Sequence, residues 1–312
     1  MDNENSVTRK LIVKNNTSYT TDENITGSCK DMIIYDNTIG EHTEIADNKT
    51  PTMTTVSSFE DLTSALASAK EGAYIKLAPG EYGTFNYKNG LSAENVTIDC
   101  GGAVFTGENH VRFDPTTTIK NATFRNYDTA SRSGQGPASG VYNDICGNYE
   151  NCIFEGVSAL EYGSIQTDVN FKNCQFLAKG DHAIHIDQFT VDNTVATFVD
   201  CTISGYCPLG GSHGSYVFEG CTFSTNDAGF GGVGLRRPST LTNCKFYISG
   251  EYDHDEIALK NAGVSYVFDG CTVNDQALSA DYAFAVGEEN IKVTIDGVET
   301  PLVKTGDKDK RQ

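Results

Sequence analysis

The apolar positions of this 312-residue chain do not follow a helical period. From residue 119 onward they fall into one short phrase that occurs seven times. The copies are IKNATF (119–124), YENCIF (149–154), FKNCQF (171–176), FVDCTI (198–203), FEGCTF (218–223), LTNCKF (241–246) and FDGCTV (268–273). In each copy the first, fourth and sixth residues are apolar or Cys, and the second and fifth are mostly polar. A period of two in segments rich in Val, Ile, Thr, Phe and Tyr predicts strands and excludes a helical solenoid. The third residue is Asn121, Asn151, Asn173, Asp200, Gly220, Asn243 or Gly270. These residue types tolerate a left-handed backbone, so each phrase predicts strand, one-residue corner, strand. The fourth residues stand at 122, 152, 174, 201, 221, 244 and 271, in uneven steps of 20 to 30 residues. Uneven steps of this size predict a solenoid whose rungs carry loops of different length. A corner at the same place in every rung coils the chain, and successive strands stack in parallel about 4.8 Å apart.

The coil has a recognisable entry. In FEDLTSALASAKEGAYIKLAPGEYG (59–83), Ser58 and Asp61 form a variant capping box, and Leu62, Ala65, Leu66 and Ala69 make one apolar helix face. Ile75, Leu77, Pro79, Gly80 and Tyr82 follow as an entry phrase. This opening, with the repeated corner phrase, resembles the pectin-lyase-like right-handed parallel β-helix superfamily over roughly residues 59–300. The resemblance implies an all-β fold, a right-handed parallel β-helix of about ten rungs behind a short N-terminal capping helix. The expected layout is an attachment or linker segment at 1–55, the β-helix at 56–303 and a polar tail at 304–312. VTIDGVETPLV (293–303), with Asp296-Gly297 as its turn, is expected to close the last rung as a hairpin.

Charge narrows the partners. The formal net charge is −19, from 42 acidic and 23 basic residues. Such a surface repels nucleic acid and anionic lipid, and disfavours a polyanionic substrate unless basic groups are concentrated locally. No stretch is apolar and long enough to span a membrane. The first residues lack the apolar core of a signal peptide. The expected location is therefore a virion, released by lysis, or the extracellular medium or cell surface after removal of a signal. Six of the ten cysteines (Cys152, Cys174, Cys201, Cys221, Cys244 and Cys271) share one repeat position among buried strand residues. They read as a ladder of reduced small hydrophobes, with disulfides among them or with Cys100, Cys146 or Cys207 as the alternative; no metal-ligand spacing is present.

Residues 1–55 differ in composition, rich in Asn, Thr and Asp, with short apolar patches at 11–13 and 32–35. A linker is one reading. The other is an attachment segment whose patches pair as strands with a structural partner or with sister chains.

Chemistry is expected on an exposed strand face. SALEY (158–162), AIHID (183–187), GVGLR (232–236) and EIALK (256–260) align as one sheet. With Ile184, Ile186, Val233, Leu235, Ile257 and Leu259 inward, Glu161, His185, Asp187, Arg236 and Lys260 form one outward stripe. Solvation alone also places polar residues on the outside of a solenoid. In the lyases of the superfamily, the resemblance implies acids that hold calcium and an Arg or Lys that removes a proton. Glu161 and Asp187 would do the first, and Arg236 or Lys260, with His185 beside them, the second. GGSHGS (210–215) is faintly similar to a polygalacturonase segment, but the paired-acid motifs of those hydrolases are missing. Tyr162, Tyr206, Tyr216, Tyr247 and Tyr252 are candidates for stacking on sugar rings, in a chain without Trp. His182, His213 and His254 read as surface polar residues. The lean rungs favour a non-enzymatic structural or adhesive β-helix, with a virion spike, fibre or decoration protein as the specific form, glycan contacts through Tyr162, His185 and Arg236, and no cofactor. A calcium-dependent polysaccharide lyase or a carbohydrate-binding surface protein is the rival. Expected partners are other structural chains through residues 1–55, glycans, and further copies of the chain.

Overall fold

A computed structural model describes residues 11–14, 17–18, 32–35, 38–39 and 53–304, except 88–92, 114, 129–138, 146, 163–166, 188–190, 211–212, 250–254, 262, 287 and 289. The described chain is a parallel β-solenoid of about nine turns, one fewer than expected. The first turn is partly helical and the last is closed by hairpins, so neither contributes a full rung.

Before the coil come β1 (Leu11–Lys14), β2 (Thr17–Ser18), β3 (Met32–Tyr35) and β4 (Thr38–Ile39). The coil begins with β5 (Met53–Val56), α1 (Phe59–Ala67) and β6 (Tyr74–Leu77). From there each turn adds up to three strands. First strands such as Val169–Lys172, Val195–Val199 and Ser215–Glu219 form a 12-stranded sheet that starts at β5. Second and third strands join in a 19-stranded sheet bent at the corner between them.

The corner works as the phrase predicts. Asn121, Asn151, Asn173, Asp200 and Asn243 hold φ between 51° and 56°. Their side chains also form a ladder: Asn173 Nδ2 donates to Asn151 Oδ1 at 2.7 Å, Asn151 to Asn121 at 3.3 Å, and Asn121 to Asp99 at 2.8 Å. Where the corner is Gly270 (φ 61°), a Cβ would stand 2.4 Å from Asn243 Oδ1, so glycine serves both the backbone and its neighbour.

Either side of the corner, like residues stack inward. Phe124, Phe154 and Phe176 lie one above the next with ring centroids 5.4 and 4.9 Å apart. Phe171, Phe198 and Phe218 do the same across the corner at 4.9 and 4.6 Å, and the two stacks meet edge to face. The cysteines sit at the corner itself. Cys152, Cys174, Cys201, Cys221, Cys244 and Cys271 are buried and free, and each thiol donates to a carbonyl of the preceding turn. Cys100 and Cys207 are buried and free as well; Cys29 and Cys146 lie outside the described residues. Burial raises the pKa of Cys100, Cys174 and Cys207 well above the usual thiol value.

The core is covered at both ends. Ser58 Oγ accepts from the Asp61 amide at 3.0 Å to start α1, which buries Leu62 and Leu66 on the first turn. Phe59 packs edge-on against Phe85. At the other end Lys292–Ile295 and Val298–Thr300 pair antiparallel through Asp296 and Gly297, the hairpin read from the Asp-Gly pair. A second antiparallel hairpin, Thr272–Val273 with Gln276–Ala277, turns through Asn274 and Asp275, both left-handed. The two N-terminal apolar patches pair with each other, in parallel, from Leu11 beside Met32 to Lys14 beside Tyr35.

Asn173→Val is expected to lower stability by about 1–2 kcal/mol through left-handed strain alone, read as a lower denaturant midpoint at unchanged slope. Gly270→Ala should cost more than Gly297→Ala, whose Cβ meets nothing within 4 Å. Mass spectrometry of the denatured, unreduced protein is expected to find Cys174, Cys201, Cys221 and Cys244 all alkylated; disulfides among them would contradict the ladder.

Candidate functional site

The third strands carry the stripe. Pairing sets Leu160 beside Ile184 and Glu161 beside His185. Ile186 faces Leu209, which shares a row with Leu235 and Leu259. Leu160, Ile184, Ile186, Val233, Leu235, Ile257 and Leu259 are buried, so the residues between them point outward. Glu161 and His185 occupy one outer row, continued by Pro208, Gly234 and Ala258. Asp187, Gly210, Arg236 and Lys260 form a second, because their amides donate to Tyr162, Ile186, Leu209 and Leu235 respectively. The five stripe residues share a face as expected, in two rows rather than one.

His185 is braced from both sides. Its Nε2 lies 2.9 Å from Asp187 Oδ1, and its Nδ1 lies 3.8 Å from Glu161 Oε1. The second contact is too long for a hydrogen bond. Ser139 Oγ donates to Glu161 Oε2 at 2.9 Å. Burial alone would raise the Glu161 pKa, but His185, Ser139 and the nearby His182 together outweigh it, and the carboxyl titrates below its usual value. The His182 ring lies 4.8 Å from that of His185 and 5.9 Å from Tyr206. The two carboxylates thus flank an imidazole. Among the described residues, no three His, Cys, Asp or Glu side chains converge on a cation position.

The tyrosines require a correction. Tyr162, expected to contact glycans, is only 7% exposed, because it shares parity with Leu160 and faces the core. Tyr206 and Tyr216 are 4% and 0% exposed and present no ring for stacking; the Tyr216 hydroxyl donates to Gly210 O at 2.8 Å. Tyr247 is at the surface and donates to Asp275. Tyr252 and His254 lie outside the described residues. His213 is a separate surface group beside Asp192.

Two features of the face escape a reading of the strand pattern. At Gly234 a Cβ would stand 2.4 Å from Tyr206 Oη and 3.4 Å from Lys260 Cε. The missing side chain makes room for the phenol, whose hydroxyl enters the row beside Lys260. The only cue in sequence is the glycine pair of GVG (232–234). The other is Asp255, an acidic side chain that is fully buried. It accepts from the Thr225 hydroxyl and from the Ser249 amide and hydroxyl. These bonds tie Thr225 and Ser249 to Asp255, and Asn226 to Ala178, beside the face.

The chain matches no protein-family model and no curated protein.

The bracing predicts a pH dependence. Because the folded-state pKa of Glu161 is lowered, its ionised contacts stabilise the fold above the ordinary carboxylate range. That contribution is lost as pH falls through the folded value. Glu161→Gln is expected to lower Tm near neutrality by about 2–4 °C, the shift made by roughly 1 kcal/mol in a domain of this size. The difference from wild type should vanish in acid; a difference that persisted there would remove the role given to the carboxylate.

Proposed function

We propose that this chain is a non-enzymatic structural or adhesive β-solenoid that contacts glycans on its third-strand face. His185 and Arg236 are the contacting residues, and Tyr162 is withdrawn from that role. The observation that carries the reading is the bracing of His185 between Glu161 and Asp187. Both carboxylates face an imidazole instead of converging on one point, which is what a calcium-assisted lyase would ask of them. A fixed row of donors and acceptors on a rigid sheet suits recognition of sugar hydroxyls, where preorganised groups lose little entropy on binding. The resemblance to pectin-lyase-like β-helices supports the reading, because that superfamily includes spikes and adhesins as well as lyases. A virion spike, fibre or decoration protein is the setting that suits a rod of this kind, with residues 1–55 facing the structural partner.

Titration against an array of neutral and acidic oligosaccharides tests the proposal. Binding is expected to fall at least about tenfold, roughly 1.4 kcal/mol, in His185→Gln and Arg236→Ala, and to be unchanged in Tyr247→Ala. The rival is tested by incubation with uronate polysaccharides and calcium, following the ultraviolet absorbance of unsaturated ends. Turnover lost in Arg236→Ala or Lys260→Ala would replace the adhesive reading with a lyase.

A further inference from the structure

The strands at the start of the chain keep a spacing that the recognition reading does not use. β1, β3, β5 and β6 are four residues long and begin at 11, 32, 53 and 74, so each step is 21 residues. The second arms keep the same offset: β2, β4 and α1 begin at 17, 38 and 59, six residues after β1, β3 and β5. The helix therefore stands where a third short strand would fall. Two of the three steps are paired in parallel and in full register. β1 pairs with β3 from Leu11–Met32 to Lys14–Tyr35, and β5 pairs with β6 from Met53–Tyr74 to Val56–Leu77. Among the described residues the middle step is open: β1 and β3 form a two-stranded sheet, and β5 ends the 12-stranded one.

Each side of that gap lacks what the other has. A two-stranded sheet is marginal in water without a further strand. On the other side, the Val56 carbonyl accepts from the Ala78 amide. Alternate residues of a parallel strand point to opposite edges, so Met53 and Thr55 present their backbone groups outward. Met53 is 58% exposed. An open edge of this kind is a template for one more strand.

We infer that β3 docks on β5 in parallel, with Met32 beside Met53 and Tyr35 beside Val56, and carries β1 with it. The sheet of first strands then gains two strands, and the edge offered to another chain moves from β5 to β1. The occupant is this chain's own strand because the connection has the same length as those across the two paired steps. Its tether also gives it a high effective concentration that a second molecule lacks. The docking involves first strands only, since α1 holds the second arm and keeps Glu60, Asp61, Thr63 and Ser64 exposed. This inference does not depend on glycan binding.

The test uses the full chain carrying Ile33→Cys and Thr54→Cys, a pair the proposed register sets side by side at a distance a disulfide can span. Mild oxidation is expected to give an intramolecular 33–54 disulfide in a monomer, and Ile33→Cys with Val56→Cys should give none. Absence of the 33–54 bond, or its formation between two molecules, would overturn the inference. Hydrogen exchange supplies a second readout. Ile33→Pro, which removes a ladder donor from β3, is expected to speed exchange at the Thr55 amide at least tenfold and leave Ile75 unchanged. A Thr55 amide that exchanges equally fast in both proteins would also overturn it.

Discussion

One backbone constraint recurs through seven successive turns of the coil: the left-handed residue that follows the first strand. An ordinary L-residue pays for this conformation, while Asn, Asp and Gly accept it. Placed at 121, 151, 173, 200, 220, 243 and 270, it turns the chain through the same corner each time. The register of every neighbouring strand follows, because a slip of one residue would carry Phe154 or Phe176 out of its stack and turn the polar residue beside it inward. The Asn side chains then bond to one another, so the residues that set the corner also tie successive turns together.

Regular register has a cost in chemistry. Each row of the solenoid repeats one type of environment, and a site needs a local departure from the row. On the third-strand face the departures are small. Gly234 removes a side chain and admits the Tyr206 phenol, and the buried Asp255 ties Thr225 to Ser249. His185 is locked between two carboxylates from its own and the preceding strand. The arrangement is preorganised and polar, and its groups hold one another in place. Fixed groups suit the recognition proposed for this face, whereas moving protons requires a group whose partner can be exchanged during reaction.

The ends follow a different logic. A parallel stack exposes backbone groups on its terminal strands, and such edges invite pairing with other chains. The C-terminal side is finished by two antiparallel hairpins with left-handed Asn, Asp and Gly turns. The N-terminal side covers its core with α1 but leaves β5 as an edge. The molecule is therefore asymmetric along its axis: one end is finished and the other can be extended.

How much of this was legible in the residues depends on the range of the interaction responsible. The corner phrase, the alternation of Phe and polar residues, the Ser58 cap and the Asp296-Gly297 turn are local preferences of a few consecutive residues. They sufficed for the solenoid, its entry and its closing hairpin. The stripe of Glu161, His185, Asp187, Arg236 and Lys260 was legible for the same reason, since parity along a strand decides which side chains face out. Tyr162 was misplaced because its aromatic ring suggested contact with a ligand while its parity already pointed to the core. Tertiary structure alone decided what lies beside what across turns of unequal length. The loops between phrases vary, so only the folded coil could bring Tyr206 over Gly234, set Asp255 under Thr225 and place His185 between carboxylates 24 residues apart on one side and two on the other. Those contacts depend on the stacking of distant segments, which no short stretch of sequence contains.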